Sequence, residues 1–163
     1  IQLQSGDRVD CDVVVTATGF ELSVMGDIPF TVDGRAADFA QTVSYRGMMF
    51  SGVPNMAWVY GYGRYSWTLR AELVGQFVCK LLRHMQTRKA RQVTPMTRPE
   101  DADMALGAWV DTEDLNAGYM LRGLHRLPKR GDKPEWQHSQ DYLYERKVLP
   151  SVDLTDPLFS YAD

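Results

Sequence analysis

The sequence predicts a mixed α/β chain that is incomplete as a fold, with an N-terminal β-hairpin, one long helix and a small helical lobe at the C-terminus. Two observations support this prediction. Residues 12–16 are an apolar, β-branched run that is typical of a buried strand and ends in a turn of small residues. Residues 66–85 then repeat apolar side chains every fourth position, which is the period of an amphipathic helix.

Composition is that of an ordinary folded domain. The chain has 163 residues, of which 44% are hydrophobic and 24% charged, enough for one domain with a real core. Its net charge of -3 gives no electrostatic basis for binding nucleic acid or an anionic membrane, and no apolar run approaches the roughly 20 residues of a membrane-spanning helix. Cys11 and Cys79 form no metal or redox motif, so a reduced, cytoplasmic setting is the default expectation.

The N-terminal 17 residues have the pattern of a β-hairpin. Residues 1–4 alternate apolar and polar, residues 5–7 have turn chemistry, and the return strand leads into residues 12–16. This hairpin is expected to deliver Ala17-Thr18-Gly19 to the edge of a larger sheet, where the glycine offers a permissive backbone to a ligand or another chain. Because the chain opens inside a strand-like run without a starting Met, we interpret it as part of a longer protein.

The clearest helical pattern covers residues 66–85. Apolar side chains recur from Leu69 to Leu81 and give the predicted helix one broad apolar face. Ser66 is the predicted N-cap, and about 20 residues correspond to a helix of roughly 30 Å. Cys79 lies within this helix and is expected to be a buried, inert thiol.

The rest of the chain predicts smaller elements: one strand, two short helices and an extended tail. They lie at residues 92–96, 115–127, 139–149 and 150–163, respectively. Ser139 is the predicted N-cap of the second short helix. A domain boundary is expected after residue 94, so that residues 95–163 form a connector and the helical C-terminal lobe.

The stretch with the most chemical content is a strand, turn and helix over residues 57–73. Within it, Gly61-x-Gly63-x-x-Ser66 comes close to the dinucleotide fingerprint, but serine replaces the third glycine and no acidic strand end follows about 20 positions later. We therefore reject an independent phosphate site. What remains is a helix N-terminus whose N–H groups and partial positive charge suit an anionic or electron-rich ligand edge. On the residues alone, the alternative is a tight turn around a buried aromatic cluster.

No residue set predicts catalysis or metal binding. His84, His125 and His138 have no paired ligands at metal spacing, so surface or capping roles are expected for them. His138 and Asp141 could form a local pair at a helix start.

Three blocks that occur in one order carry a family resemblance. They are DVVVTATGF at residues 12–20, YRGMMFSGVPNMAWVYGYGRYSWTLRAELVGQFVCKLL at residues 45–82, and GYMLRGLHRLPKRGDKPEWQHSQDYL at residues 118–143. Together they resemble the C-terminal part of a Baeyer–Villiger or flavin-containing monooxygenase of group B, closest to the ethionamide-activating type. The resemblance implies an incomplete FAD/NAD(P)-binding domain, Rossmann-like and three-layered, in which residues 1–94 are the C-terminal portion of the FAD-binding domain.

The resemblance also implies an activity and a set of cofactor contacts. Such enzymes use FAD, NADPH and molecular oxygen to insert one oxygen atom into ketones or to oxidise the sulfur of thioethers. Ala17-Thr18-Gly19 would lie at the crossover between the NADPH and FAD domains. The turn and helix start beside the isoalloxazine ring would comprise Gly61, Tyr62, Ser66, Trp67 and Thr68, of which the last two would line the flavin and substrate cavity.

Several family features are absent from the sequence. It contains no G-x-G-x-x-G motif for either cofactor and no FxGxxxHxxxW signature, and the family's catalytic arginine has no counterpart. We therefore expect FAD and NADPH to be held largely by parts outside this chain, and we expect the chain alone to be inactive. The alternatives are another flavin-dependent oxidoreductase, N-hydroxylating or disulfide-reductase-like, and a non-catalytic structural or interaction module.

Overall fold

Short antiparallel strand pairs and three α-helices form the regular structure of residues 1–111 and 117–163, the part of the chain that the computed structural model describes. The helices are α1 (Trp67–Arg88), α2 (Gly118–Gly123) and α3 (Tyr142–Ser151). The strands are β1 (Thr31–Val32), β2 (Arg35–Ala36), β3 (Ser44–Tyr45), β4 (Met49–Phe50), β5 (Gln92–Pro95) and β6 (Phe159–Ala162). The pairs are β1 with β2, β3 with β4, and β5 with β6.

Helix α1 confirms the helix predicted for residues 66–85. Its buried side chains include Leu73, Phe77 and Leu81, which the period of 3.6 places on one face. The prediction of a buried thiol at Cys79 is wrong, because this side chain is exposed. Position 79 is two residues from both Phe77 and Leu81, and a two-residue step turns a helix by more than half a revolution, away from the core.

The main hydrophobic core lies between α1, α3 and the strand pairs β3–β4 and β5–β6. Tyr45 is only 2% exposed and meets the rings of Trp136 and Phe159 edge-on, with centroids 6.0 and 5.1 Å apart. The predicted strand at residues 92–96 is confirmed as β5. The last residues of the predicted extended tail are extended, but they are not a tail, because they pair with β5 as β6 and bury Phe159 in the core. The first two residues of that segment belong to α3.

The predicted N-terminal hairpin is present in a short form, but its continuation as a buried strand at residues 12–16 is wrong. An antiparallel bridge joins Gln2 to Arg8, and backbone hydrogen bonds on either side of it pair residues 1 and 3 with residues 9 and 7. Residues 12–16 form no strand. Val13, Val14 and Val15 are 77%, 58% and 84% exposed. A strand needs a neighbouring strand for its backbone groups, and the described residues place none beside this segment.

Two short helices are confirmed with changed bounds. The helix predicted at residues 115–127 is α2 followed by a 3₁₀ turn at Leu124–Arg126, while residues 115 and 116 lie outside the described residues. The helix predicted at residues 139–149 is α3. Its cap is Asp141, whose carboxylate accepts a hydrogen bond from the N–H of Tyr144, so the prediction of Ser139 as the cap is wrong.

The mixed α/β character is therefore confirmed, while the Rossmann-like, three-layer arrangement stays a prediction. The described sheets are two-stranded and antiparallel. The division after residue 94 also stays a prediction; the main core joins Phe77 on one side of it to Leu149 and Phe159 on the other. No helix within the described ranges is both long and apolar enough to span a bilayer.

Candidate functional site

The start of α1 is open to solvent. Ser66 occupies the N-cap position with an extended backbone, but its side chain makes no capping hydrogen bond. Its hydroxyl instead lies 2.7 Å from the hydroxyl of Thr68. Trp67 is 55% exposed, and Thr68 is exposed as well. The first turn of the helix therefore presents N–H groups, two hydroxyls and an indole to whatever lies in front of it.

Trp67 rests on the turn that precedes the helix. A Cβ atom built on Gly61 would lie 2.1 Å from the indole, so only glycine allows this contact. The ring of Tyr60 lies beside the same indole, with centroids 5.3 Å apart. Gly61 is therefore a packing residue for Trp67, which gives a structural reason for the glycine in the fingerprint-like stretch.

Behind this turn lies a buried ion pair that the sequence analysis missed. Arg70 is 0% exposed, and its Nε donates to Oε2 of Glu145 over 2.9 Å while Nη2 lies 3.2 Å from Oε1. The hydroxyl of Tyr62 donates to the same Oε2 over 2.5 Å. The only signal in the sequence is an arginine on the apolar side of the α1 pattern, because the glutamate is 75 residues away.

The environment of Tyr62 changes its acidity. Burial of the phenol, followed by its hydrogen bond to Glu145, raises the pKa of Tyr62 far above its ordinary value of 10.0. The tyrosine is therefore a hydrogen-bond donor over the whole physiological range. Tyr62 is 1% exposed, so it supports the helix start from behind and offers no side-chain surface to a ligand.

A cleft of about 380 Å³ opens beside the start of α1. Its lining includes Gly63, Tyr65, Trp109, Arg130, His138 and Asp141. The ring of His138 stacks on Trp109 with centroids 4.8 Å apart, and burial, followed by the charges of Arg70 and Arg130, lowers the pKa of His138 well below its usual value of 6.5. The cleft therefore has an aromatic wall whose histidine is neutral at pH 7.

The predicted turn Ala17-Thr18-Gly19 lies in a different part of the chain. All three residues are exposed, and Gly19 has a positive φ of 89°, a left-handed conformation that favours glycine. The chain just after them is tied to α2, where Arg122 donates to the carbonyl of Phe20 over 3.0 Å. The described contacts bring Gly61, Tyr62, Ser66, Trp67 and Thr68 together and leave this turn apart from them.

A second ionic cluster has a structural role. Asp101 is 3% exposed and accepts hydrogen bonds from Arg98, Lys133 and the indole of Trp136. These bonds, that of Arg98 first, hold the pKa of Asp101 well below its usual range. Among residues 1–111 and 117–163, no three His, Cys, Asp or Glu side chains gather in a way that could hold a metal ion.

Comparison with known proteins identifies the family. No protein-family model matches the chain, and no solved structure does. The FAD-containing monooxygenase EthA of Mycolicibacterium smegmatis is 38% identical over 149 residues, which are 91% of this chain and 29% of the relative. EthA of Mycobacterium tuberculosis is 37% identical over 162 residues, 99% of this chain and 32% of the relative. The probable FAD-binding monooxygenase AlmA of Acinetobacter baylyi is 34% identical, with 99% of this chain and 32% of the relative covered.

By sequence, the chain is homologous over nearly its whole length to part of the FAD-containing monooxygenases. It spans about a third of the length of the curated relatives it matches. Within the family it corresponds to a C-terminal portion of an EthA-type monooxygenase, which confirms the predicted relationship. The match to 99% of this chain extends well beyond the three blocks of resemblance, the last of which ends at residue 143.

Proposed function

We propose that this chain forms one wall of the flavin site in an FAD- and NADPH-dependent monooxygenase that inserts one oxygen atom into ketones or oxidises the sulfur of thioethers. The observation that carries the proposal is the open start of α1, with Trp67 55% exposed, in a chain homologous to EthA-type monooxygenases. The aromatic cleft beside it would receive part of the organic substrate.

The start of α1 fits one edge of a flavin ring. Ser66 leaves the first N–H groups of the helix without a side-chain cap, and a helix of 22 residues carries partial positive charge at this end. Trp67 adds an apolar aromatic face next to those groups. The chain does not fit the diphosphate of FAD, because it has no G-x-G-x-x-G turn. Tight binding of FAD and NADPH would therefore depend on other parts of the enzyme.

Each residue of this wall has a defined task in the proposal. FAD, when bound, supplies the redox and oxygen chemistry. The N–H groups of Trp67 and Thr68 would stabilise negative charge at the ring edge, and the Trp67 indole would exclude water from it. Ala17-Thr18-Gly19 would form the crossover towards the NADPH domain. We assign no acid, base or nucleophile to this chain.

Substitution of Trp67 tests the flavin wall. In the full-length, FAD-loaded enzyme that contains this chain, Trp67→Ala should shift the visible absorption of the flavin and slow turnover, because one side of the ring loses its aromatic neighbour. Leu82→Ala is the matched control, since Leu82 lies on the same helix and is 52% exposed. An unchanged flavin spectrum in Trp67→Ala would contradict the proposal.

The reaction itself is tested by product analysis. The full-length enzyme that contains this chain, loaded with FAD, is supplied with NADPH, isotopically labelled oxygen and, in turn, a ketone, a thioether and a primary amine. We expect one labelled oxygen atom in an ester or a sulfoxide. Label in a hydroxylamine would favour the N-hydroxylating alternative, and no NADPH oxidation with any substrate would favour a structural module. The cytoplasmic location stays a prediction from cysteine usage.

A further inference from the structure

Arg70 ties the start of α1 to three other parts of the chain. Besides its pair with Glu145 on α3, Nη1 donates to the carbonyl of Tyr60 over 2.7 Å and lies 3.2 Å from that of Gly47. Its Nη2 donates to the carbonyl of Arg46 over 2.7 Å. The guanidinium is planar with a fixed fork of five N–H donors, so these partners define its orientation as well as its position.

The same ion pair holds in place the turn on which the Trp67 indole packs. Gly61, on which the indole rests, lies between Tyr60 and Tyr62 in the chain. The carbonyl of Tyr60 is bound by Arg70, and the hydroxyl of Tyr62 is bound by Glu145. Both neighbours of the glycine are therefore tied to one charged pair. Trp67 itself is one helical turn from Arg70, on the same side of α1.

Fold stability alone is a poor explanation for this arrangement. Removing two charges from water costs several kcal/mol per ion, and the attraction of a buried pair often only offsets that cost. An apolar contact between α1 and α3 could hold the two helices together without it. The ion pair also fixes the orientation of the Arg70 guanidinium, because all hydrogen bonds of its fork are satisfied in only one geometry.

We propose that Arg70, Glu145 and Tyr62 form a positioning unit that sets the orientation of Trp67 and Thr68 toward the bound flavin. The inference rests on the proposed function of the α1 start and adds to it the residues that act through that start. In this assignment the three residues act through Trp67 and Thr68 and not by contact with the ring. Arg70 and Glu145 are buried, and Tyr62 is covered by the turn.

The test compares three variants in the full-length, FAD-loaded enzyme that contains this chain. Arg70→Lys keeps the charge and loses the fork, Glu145→Gln keeps the shape and loses the charge, and Tyr62→Phe removes only a hydroxyl. We expect each to shift the flavin absorption spectrum, and Arg70→Lys to lower kcat by roughly 10- to 100-fold, since a displacement of about 1 Å can cost that much. Tyr62→Phe is the mildest change and serves where Arg70→Lys fails to fold.

Asp101→Asn is the matched control, because it weakens the other buried ionic cluster without touching the start of α1. It should lower stability and leave both the flavin spectrum and the kcat of the folded protein unchanged. Suppose that Trp67→Ala shifts the flavin spectrum, while folded Arg70→Lys and Tyr62→Phe leave both the spectrum and kcat unchanged, as Asp101→Asn should. The proposal of a positioning unit is then wrong, and the proposal of a flavin wall is supported. If Trp67→Ala leaves the spectrum unchanged, both proposals are wrong.

Discussion

Gly61 and Trp67 form a contact that no residue with a Cβ atom at position 61 could keep. The indole covers the glycine so closely that an added Cβ atom would lie 2.1, 2.3 and 2.5 Å from three of its ring atoms. The turn before α1 and the first residue of α1 are therefore one packed unit, although five residues separate them in the sequence.

The first prediction concerns this contact. Gly61→Ala should displace the indole and lower the free energy of unfolding by about 1–3 kcal/mol, the usual cost of inserting an extra carbon into a packed site. Urea denaturation measures the loss, and near-ultraviolet circular dichroism reports the indole. Gly63→Ala is the control, because its Cβ would meet its nearest neighbour, Oε1 of Gln140, at 3.5 Å. Equal losses in the two variants would contradict the assignment.

Gly75 offers a stabilising change on the same helix. It lies inside α1, and a Cβ atom there would meet nothing within 4 Å. Gly75→Ala should therefore raise the free energy of unfolding by about 0.5–1 kcal/mol, because alanine loses less backbone entropy in a helix. A decrease on urea denaturation would show that this face of α1 is covered.

The pKa of His138 predicts a loss of stability in mild acid. Because the pKa of the folded state is below that of the unfolded chain, the unfolded chain binds more protons once the pH falls below about 6.5. Stability should be complete above that pH and decline from there towards pH 5. His138→Phe keeps a ring on Trp109 and cannot be protonated, so its stability profile should be flatter in this window. NMR titration of the ring measures the shift directly, and an imidazole that titrates near 6.5 would refute it.

Asp101 predicts a second loss at lower pH. Its folded pKa is depressed, so its contribution to stability is present above the unfolded value of about 4 and is lost as the pH falls through the folded value. Asp101→Asn should lower the free energy of unfolding at pH 7 by about 1.5–3 kcal/mol, the value of hydrogen bonds to a charged group. The difference between variant and parent should shrink below pH 4. A constant difference down to pH 2 would argue against the depressed pKa.

The last prediction concerns the C-terminal strand. Phe159 is 5% exposed and packs on Tyr45, so Phe159→Ala should cost about 3–5 kcal/mol through lost burial and the cavity left behind. Leu143→Ala is the control, since Leu143 is 61% exposed and surface substitutions usually change stability by no more than about 0.5 kcal/mol. A small effect in thermal unfolding of Phe159→Ala would mean that β6 is not part of the core.

Helix α1 was predictable because its information is local. The period from Leu73 to Leu81 is contained within the helix, and it holds whatever the rest of the chain does. The valines at positions 13–15 show the opposite case. They have strand propensity, but a strand forms only where another supplies hydrogen-bond partners, and the sequence of one segment does not contain that information.

The candidate site was half predictable for the same reason. Gly61 and Trp67 are close in sequence, and their turn and helix start were predicted together. Arg70 and Glu145 are 75 residues apart, and neither residue carries a local sign of the other. A charged residue on the apolar side of a helix does indicate that some buried partner must exist, because an unpaired buried charge is prohibitively costly. It does not indicate which residue that partner is.

Val13, Val14 and Val15 have a practical consequence for anyone who handles this polypeptide. Three adjacent, exposed valine side chains form an apolar surface patch, and the solubility of the protein depends on what covers that patch. If another segment of the same enzyme molecule covers the valines, the protein stays in solution. If no such segment covers them, the valines of neighbouring copies can pair with one another. Concentrated solutions should then form intermolecular β-structure that begins at these valines.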